Sequence, residues 1–153
     1  MPRRPKILLV QRSFIRREDD EHLIIVKRSK SNKHGRGLWE IPGGKLGKGE
    51  TLAQAHQREA FEETGLLVKF VSPLVLLDTH TIGDGPFKGF SHLTIFSIAR
   101  IVGGTLTLSC EHDDAAWVTY EEMLSYDLAP RVRSAATALE EFLRQSQKPP
   151  SLP

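Results

Sequence analysis

Glu59, Glu62 and Glu63 stand at i, i+3 and i+4 within Gly44 to Leu66, a stretch that reads GKLGKGETLAQAHQREAFEETGL. On a helix that spacing puts three carboxylates on one side. Like charges so placed repel by about a few tenths of a kcal/mol per pair when exposed, and more when desolvated, so the cluster needs a counter-ion. Hard oxygen donors suit Mg²⁺ or Mn²⁺, which prefer carboxylate, water and phosphate oxygens. Soft-metal chemistry is excluded by a single cysteine and the lack of paired histidine spacing nearby. A solvated acidic face with Arg58 pairing Glu62 at i+4 is the alternative that a bare E-x-x-E-E leaves open.

The element that must carry these acids is legible at both ends. Thr51-Leu-Ala-Gln54 is a capping-box pattern, and Gly65 stands where a left-handed C-terminal cap is expected. Leu52 to Thr64 holds no Gly or Pro, so the spacing predicts a helix of about three and a half turns. Ala53, Ala60, Phe61 and Thr64 are expected on its packing side, opposite the acids.

Gly44, five residues, Glu50, seven residues, Arg58-Glu59-Ala60-Phe61-Glu62-Glu63-Thr64-Gly65-Leu66 resembles the Nudix box, G-x5-E-x7-R-E-U-x-E-E-x-G-U with U apolar, at every fixed position. Ala60 is the one small residue in an apolar slot. The resemblance implies a hydrolase that cleaves a diphosphate bond in a nucleoside diphosphate linked to another group. By position, Glu59, Glu62 and Glu63 look like the Mg²⁺ ligands, with Mn²⁺ as a substitute. Glu50 and Arg58 look like an ion pair that braces the loop and orients the acids. Gly44 and Gly65 look like backbone specialists, for close approach and a positive φ. The attacking water would be activated by Glu62 or by an acid from a later loop. Some family members carry an additional glutamate just ahead of a Trp-containing strand, where this chain has Glu111, with Asp113 as its substitute.

The chain is long enough for one core, and residues 1–147 are expected to form a single domain followed by a loose Pro-rich tail, 148–153. No apolar run approaches the roughly 18 residues of a membrane span, and the apolar run after the basic start is too short for a signal peptide. A lone Cys110 excludes an internal disulfide and fits a reducing cytoplasm; it is expected to be a small buried apolar residue. The formal charge of +2 hides an asymmetry, since residues 1–50 hold 13 Lys+Arg against 6 Asp+Glu and the rest 8 against 13. A basic first third beside an acidic helix would attract polyanions.

Ile7 to Ile15 and Leu23 to Arg28 read as strands joined by a polar turn, with Ile24-Ile-Val26 covered on both sides. Trp39 to Ile41 is a short strand and Pro42-Gly43-Gly44 a tight turn into the box. Leu67 to Thr81 is one long strand, bent near Pro73. His92 to Val102 is a strand whose hairpin partner, after Gly103-Gly104, is Thr105 to Ser109. Ala116 to Val118 is another short strand; Thr119 to Glu122 is a second capping box, and Arg131 to Gln145 an amphipathic helix. Two helices packing on such strands make an α/β/α sandwich around a mixed sheet, which is the Nudix fold.

Arg28, Lys33, Arg36 and Lys45 are the candidate phosphate contacts, with Gly43 and Gly44 offering close backbone approach. Phe87 and Phe90, in the loop Ile82 to Phe90, could stack on a base or anchor the loop in the core. Histidines 80, 92 and 112 have no spaced partner and are taken as structural. In similar enzymes a proline or tyrosine a short way past the box marks ADP-ribose or dinucleoside-polyphosphate hydrolases, and Asp78 to Gly83 holds neither. A coenzyme A pattern is only half present in Arg28-Ser29, Lys33 and Gly37. The expected substrate is therefore a nucleotide with a terminal triphosphate, either free, such as GTP, or the 5′ end of an RNA lying along Lys27, Lys30, Lys33 and Arg36. A nucleotide sugar is the alternative, and a non-catalytic nucleotide or RNA reader a third. The oligomeric state is open, a homodimer included.

Overall fold

In the computed structural model, residues 3–147 are described; the expected tail, 148–153, lies outside them. Seven strands and three helices follow in the order β1 (Ile7–Arg16), β2 (Leu23–Arg28), β3 (Trp39–Glu40), β4 (Gly43–Lys45), α1 (Leu52–Thr64), β5 (Leu66–Thr81), β6 (Ser91–Gly104), β7 (His112–Val118), α2 (Tyr120–Leu124) and α3 (Pro130–Ser146). They build one sheet in the order β3-β2-β1-β6-β5, with β4 paired to β1 and β7 to β2. β1 runs parallel to β6 and antiparallel to β4, so the sheet is mixed.

Period-two alternation divides the core between two faces. Ile15, Ile24, Val26, Val68 and Ala99 pack with Ala60 under α1. Phe14, Leu23, Ile25, Phe96 and Ile98 pack with Met123, Val132, Ala135, Ala136 and Leu139 of α2 and α3 on the other face. Ile24 and Ile25 point to opposite layers and are both fully buried, as a strand covered on both sides requires. The expected α/β/α sandwich is the architecture found. No helix among the described residues is long and apolar enough to cross a membrane.

Four local expectations are corrected. Gly43 and Gly44 are not in a turn but in β4, where they pair with Arg12 and Gln11. Thr105 to Ser109 is not a strand: both edges of β6 are already taken by β1 and β5. It crosses the end of α1 instead, where Thr107 N–H donates to Thr64 O at 2.8 Å and Ser109 N–H to Glu63 O at 3.1 Å. Those bonds satisfy carbonyls that a helix C-terminus leaves open. Cys110 follows that crossing segment in a turn and is exposed, not buried. On α1, Ala53 and Phe61 are exposed, while Ala55, His56, Ala60, Glu63 and Thr64 are buried. The packing stripe is rotated so that it takes in one of the three acids.

Both ends of α1 are capped. Thr51 and Gln54 exchange the two capping-box bonds, and Gly65 takes φ 70° while its N–H donates to Phe61 O. His56 fixes the helix to β1 through a bond between its Nδ1 and Ser13 Oγ, and its ring lies 5.2 Å from that of Phe70. Burial lowers its pKa from 6.5 to about 4, so the native ring is neutral. A depressed folded pKa gives stability that is complete above the unfolded value and lost as pH falls toward the folded one. Acidification from pH 7 to pH 4 is expected to destabilise the wild type more than His56→Asn, by on the order of 3 kcal/mol at most. Urea midpoints of the two proteins at both pH values measure this, and parallel midpoints would refute it.

Candidate active site

The acid cluster lies where α1 crosses β4 at glycine distance. A Cβ at Gly44 would fall 2.4 Å from Glu59 Oε1, and one at Gly43 2.1 Å from Gln11 O. A larger residue at Gly44 would displace the Glu59 carboxylate, and one at Gly43 would run into the β1 backbone. Gly43 N–H donates to Glu63 Oε2 at 3.0 Å, so the contact also ties a carboxylate to the sheet backbone.

Arg58 holds the surrounding loop. It donates to both oxygens of Glu50 at 2.6 and 2.9 Å, to Lys45 O at 3.0 Å, to Glu59 at 2.8 Å and to Glu62 at 3.2 Å. Glu50 in turn accepts from Gly47 N–H at 2.7 Å. The bond from Arg58, then the one from Gly47, holds Glu50 below its ordinary pKa, and Glu50 and Glu59 hold Arg58 charged. The residues expected as a brace are thus in direct contact.

Glu63 is the exceptional acid. Burial pushes its pKa up from 4.5 to about 8, with Arg12 and the Gly43 bond opposing and Glu40 and Glu59 adding to the rise. Among the described residues, no three carboxylate or imidazole groups converge as a closed metal cage. Glu59 and Glu62 face Arg58, and Glu63 faces Gly43. The donor set nonetheless fits a hard divalent cation: three carboxylates on adjacent helical positions, one of them buried among anions that a nearby positive charge would stabilise.

The other expected site residues divide into separate groups. Lys45 Nζ lies 4.8 Å above the Phe87 ring, which meets Phe90 edge-on at 5.6 Å. Arg28 turns away from the rim, donating to His34 O at 2.9 Å and to Glu40 Oε1 at 3.2 Å. Arg36 Nε donates to Asn32 O, and Lys33 is exposed. Glu111 is exposed, and its carbonyl accepts from Ser29 N–H and Asn32 Nδ2. It follows by two residues the Ser109 bond to Glu63. Asp113 accepts from Lys30 N–H. His112 is buried and bonded to Glu40, whereas His80 and His92, paired across β5 and β6, face each other with rings 4.6 Å apart.

Sequence reasoning missed a second set. On the α3 face a cleft of about 620 Å³ opens among Arg12, Leu38, Glu40, Asp78, Arg131 and Val132, within the size range of small-molecule sites. Glu40 is a buried carboxylate bonded by His112 at 3.0 Å and flanked by Arg28 at 3.2 Å and Arg12 at 3.4 Å. Burial alone would raise its pKa, but the His112 bond and the two arginines outweigh it and keep Glu40 ionised. Arg12 also donates to Ile41 O at 2.9 Å and acts electrostatically on Glu63, so it stands between acid cluster and cleft. The available signals were polar Gln11-Arg12-Ser13 interrupting an apolar strand, and Glu40 wedged between Trp39 and Ile41.

Residues 6–140 match the NUDIX domain. The human protein "8-oxo-dGDP phosphatase NUDT18" is 31% identical over 144 residues, covering 89% of this chain and 40% of its own length. "Nucleoside triphosphatase NudI" of Enterobacter sp. is 30% identical over 106 residues, 66% of this chain and 75% of that protein. The chain spans half or less of the length of the first curated relatives it matches. Among solved structures, the MutT protein from Methanosarcina mazei superposes with a TM-score of 0.74 over 95% of this chain and 99% of its own, at 23% identity, a likeness of fold. The chain belongs to the NUDIX domain family.

Proposed function

We propose that the chain hydrolyses a phosphoanhydride bond of a free nucleoside triphosphate and releases pyrophosphate. The observation that carries this is the adjacency of the acid cluster to the cleft, with Arg12 between them. NudI, named a nucleoside triphosphatase, supports the terminal triphosphate, while NUDT18, named for a nucleoside diphosphate, supports the nucleotide class alone. An RNA 5′ end is the weaker form of the reading. Two of the four cations that would line its groove are already engaged, Lys27 over the Trp39 ring and Arg36 on Asn32 O.

Glu59, Glu62 and Glu63 would hold Mg²⁺, or Mn²⁺ in its place. When bound, the ion supplies charge neutralisation at the phosphates and a lowered pKa for an attacking water. The chain's own residues do the rest. Glu62, the most exposed of the three, or Glu111 accepts the proton of that water. Arg58 aims Glu59 and Glu62. Arg12 and Lys45 bind phosphate oxygens, Arg12 from the cleft side and Lys45 from β4. Phe87, alongside Lys45, flanks the phosphate end.

Incubation of GTP, a 5′-triphosphorylated short RNA and a nucleotide sugar with Mg²⁺ is expected to release pyrophosphate most efficiently from GTP. Glu62→Gln should lower the rate by about 10²–10⁴-fold. Cleavage of the sugar nucleotide alone would overturn the triphosphate reading. Binding without cleavage of any of them would make the domain a reader.

The metal assignment has a test that needs no turnover. A carboxylate whose folded pKa is raised gives stability that is full below the unfolded value and lost as pH rises through the folded one. For Glu63 that window runs from 4.5 to about 8. Without divalent ions, the thermal midpoint of wild type relative to Glu63→Gln is expected to fall from pH 5 to pH 8. Mg²⁺ should reverse the fall for wild type, because ligand binding competes with the proton. A Mg²⁺ response identical in both proteins would remove Glu63 from the metal site.

A further inference from the structure

We infer that Asp78 and Arg131 read the nucleobase, and that they select bases presenting a ring N–H beside a carbonyl, namely guanine, uracil and thymine, over adenine and cytosine. This rests on the proposal that a nucleotide occupies the cleft, and adds which nucleotides it accepts.

The two residues belong to different elements that the fold brings together, Asp78 on β5 and Arg131 in the first turn of α3. Arg131 Nη1 bonds Asp78 Oδ2, and both side chains remain partly open to the cleft, at 42% and 30% exposure. That bond uses one oxygen and one nitrogen. Asp78 Oδ1 and the remaining guanidinium N–H groups are left over on two residues that line one cleft, an acceptor close to donors. A lactam edge, O=C–N–H, is the complement: its N–H donates to the carboxylate and its carbonyl accepts from the guanidinium. Adenine and cytosine present a bare ring nitrogen beside an amino group. Their donor and acceptor stand in the reverse order, so in the pose that pairs a lactam edge with the phosphates at Arg12, the ring lone pair faces the carboxylate and the amino group the guanidinium, which discriminates against them.

Glu40, the other carboxylate lining the cleft, cannot play this part. Its oxygens are taken up by Arg12, Arg28 and His112. Leu38, Ala129 and Pro130 supply apolar lining for a ring in the cleft. The spacing also suits a nucleotide whose phosphates lie at Arg12. Asp78 pairs with Thr94 of β6, which pairs with Val10 of β1, so two strand spacings, roughly 10 Å, separate its strand from that of Arg12. Phe87 and Phe90 are held instead by Lys45 and Lys6 and belong to the phosphate end.

The test is titration of the Mg²⁺ forms of the α,β-methylene triphosphates of guanosine, uridine, adenosine and cytidine, which cannot be cleaved at that bond, into wild type and Asp78→Asn. Wild type should bind the guanosine and uridine compounds at least about tenfold more tightly than the other two. Asp78→Asn should lose that preference while binding inorganic tripolyphosphate as the wild type does, which shows the fold and phosphate end intact. Arg131→Met should lose it too. Equal affinity of wild type for all four, or loss of tripolyphosphate binding in step with the nucleotides, would overturn the inference. Hydrolysis of the four natural triphosphates separates the two readings. Equal turnover on every base refutes base selection and leaves the hydrolase standing. Selective binding with no turnover refutes the hydrolase and leaves base selection standing.

Discussion

The arrangement depends on one steric constraint, the approach of α1 to β4 with no side chain between them at Gly44. The Glu59 carboxylate occupies the space a Cβ would need, and Glu63 reaches past the helix to the Gly43 N–H. Close packing of this kind tolerates no added methyl without movement of backbone or acid. The rest of the box serves the same contact. Gly65 lets the chain leave α1 in a left-handed conformation at φ 70°, tightly enough that a Cβ there would fall 2.5 Å from Thr105 O. Arg58 and Glu50 tie the intervening loop to the helix, and the Arg58 bond to Lys45 O ties both to β4.

Charge is then graded inward across this unit. Glu62 is exposed, Glu59 is largely covered beside Arg58, and Glu63 is buried beside Arg12. Behind them Glu40 gathers Arg12, Arg28 and His112 from three further strands. A buried ionic node of this sort is weak evidence for stability, because taking the charges out of water offsets most of what they gain from each other. Its effect is geometric. Arg12 is held between Glu40 and the Ile41 carbonyl, at the border of acid cluster and cleft, before any ligand arrives. A guanidinium already oriented loses less freedom on binding a phosphate than a surface lysine does.

How much of this was legible in the sequence follows the range of the interactions. α1, its caps and the brace are encoded within the contiguous stretch Gly44 to Leu66, where spacing reads directly as geometry. The strands under the helices were legible from apolar runs bounded by turn residues, such as Ile24-Ile25-Val26. Thr105 to Ser109 was misread because its residues suit a strand, and the reason it is not one, that β6 has no free edge, is a property of topology. Phe61 was placed on the packing side by its angle from the three acids taken as one face, while Glu63 turns inward to the Gly43 N–H and brings its own side of the helix into the core. The cleft was invisible for the same reason. Arg12, Glu40, Asp78 and Arg131 come from β1, β3, β5 and α3, and no pair of them is close in sequence.

The side of the sheet on which Asp78 appears turns on an irregularity in β5. Up to Phe70 the even-numbered residues face α1: Leu66 and Val68 belong to its core, and Phe70 meets His56. Beyond the irregularity Leu76 packs on the α3 side and Asp78 opens into the cleft. From Phe70 to Leu76 the strand takes six steps while its partner takes three, from Ala99 to Phe96. An odd surplus reverses which face a given parity presents, as a bulge does. The reversing step lies between Phe70 and Ser72, where β5 advances two residues against one, from Ala99 to Ile98; from Ser72 to Leu76 the surplus is two and parity is kept. A regular β5 would have sent Asp78 toward α1 and left Arg131 facing no carboxylate on that strand, so the register shift just after Phe70 sets the chemistry of the cleft.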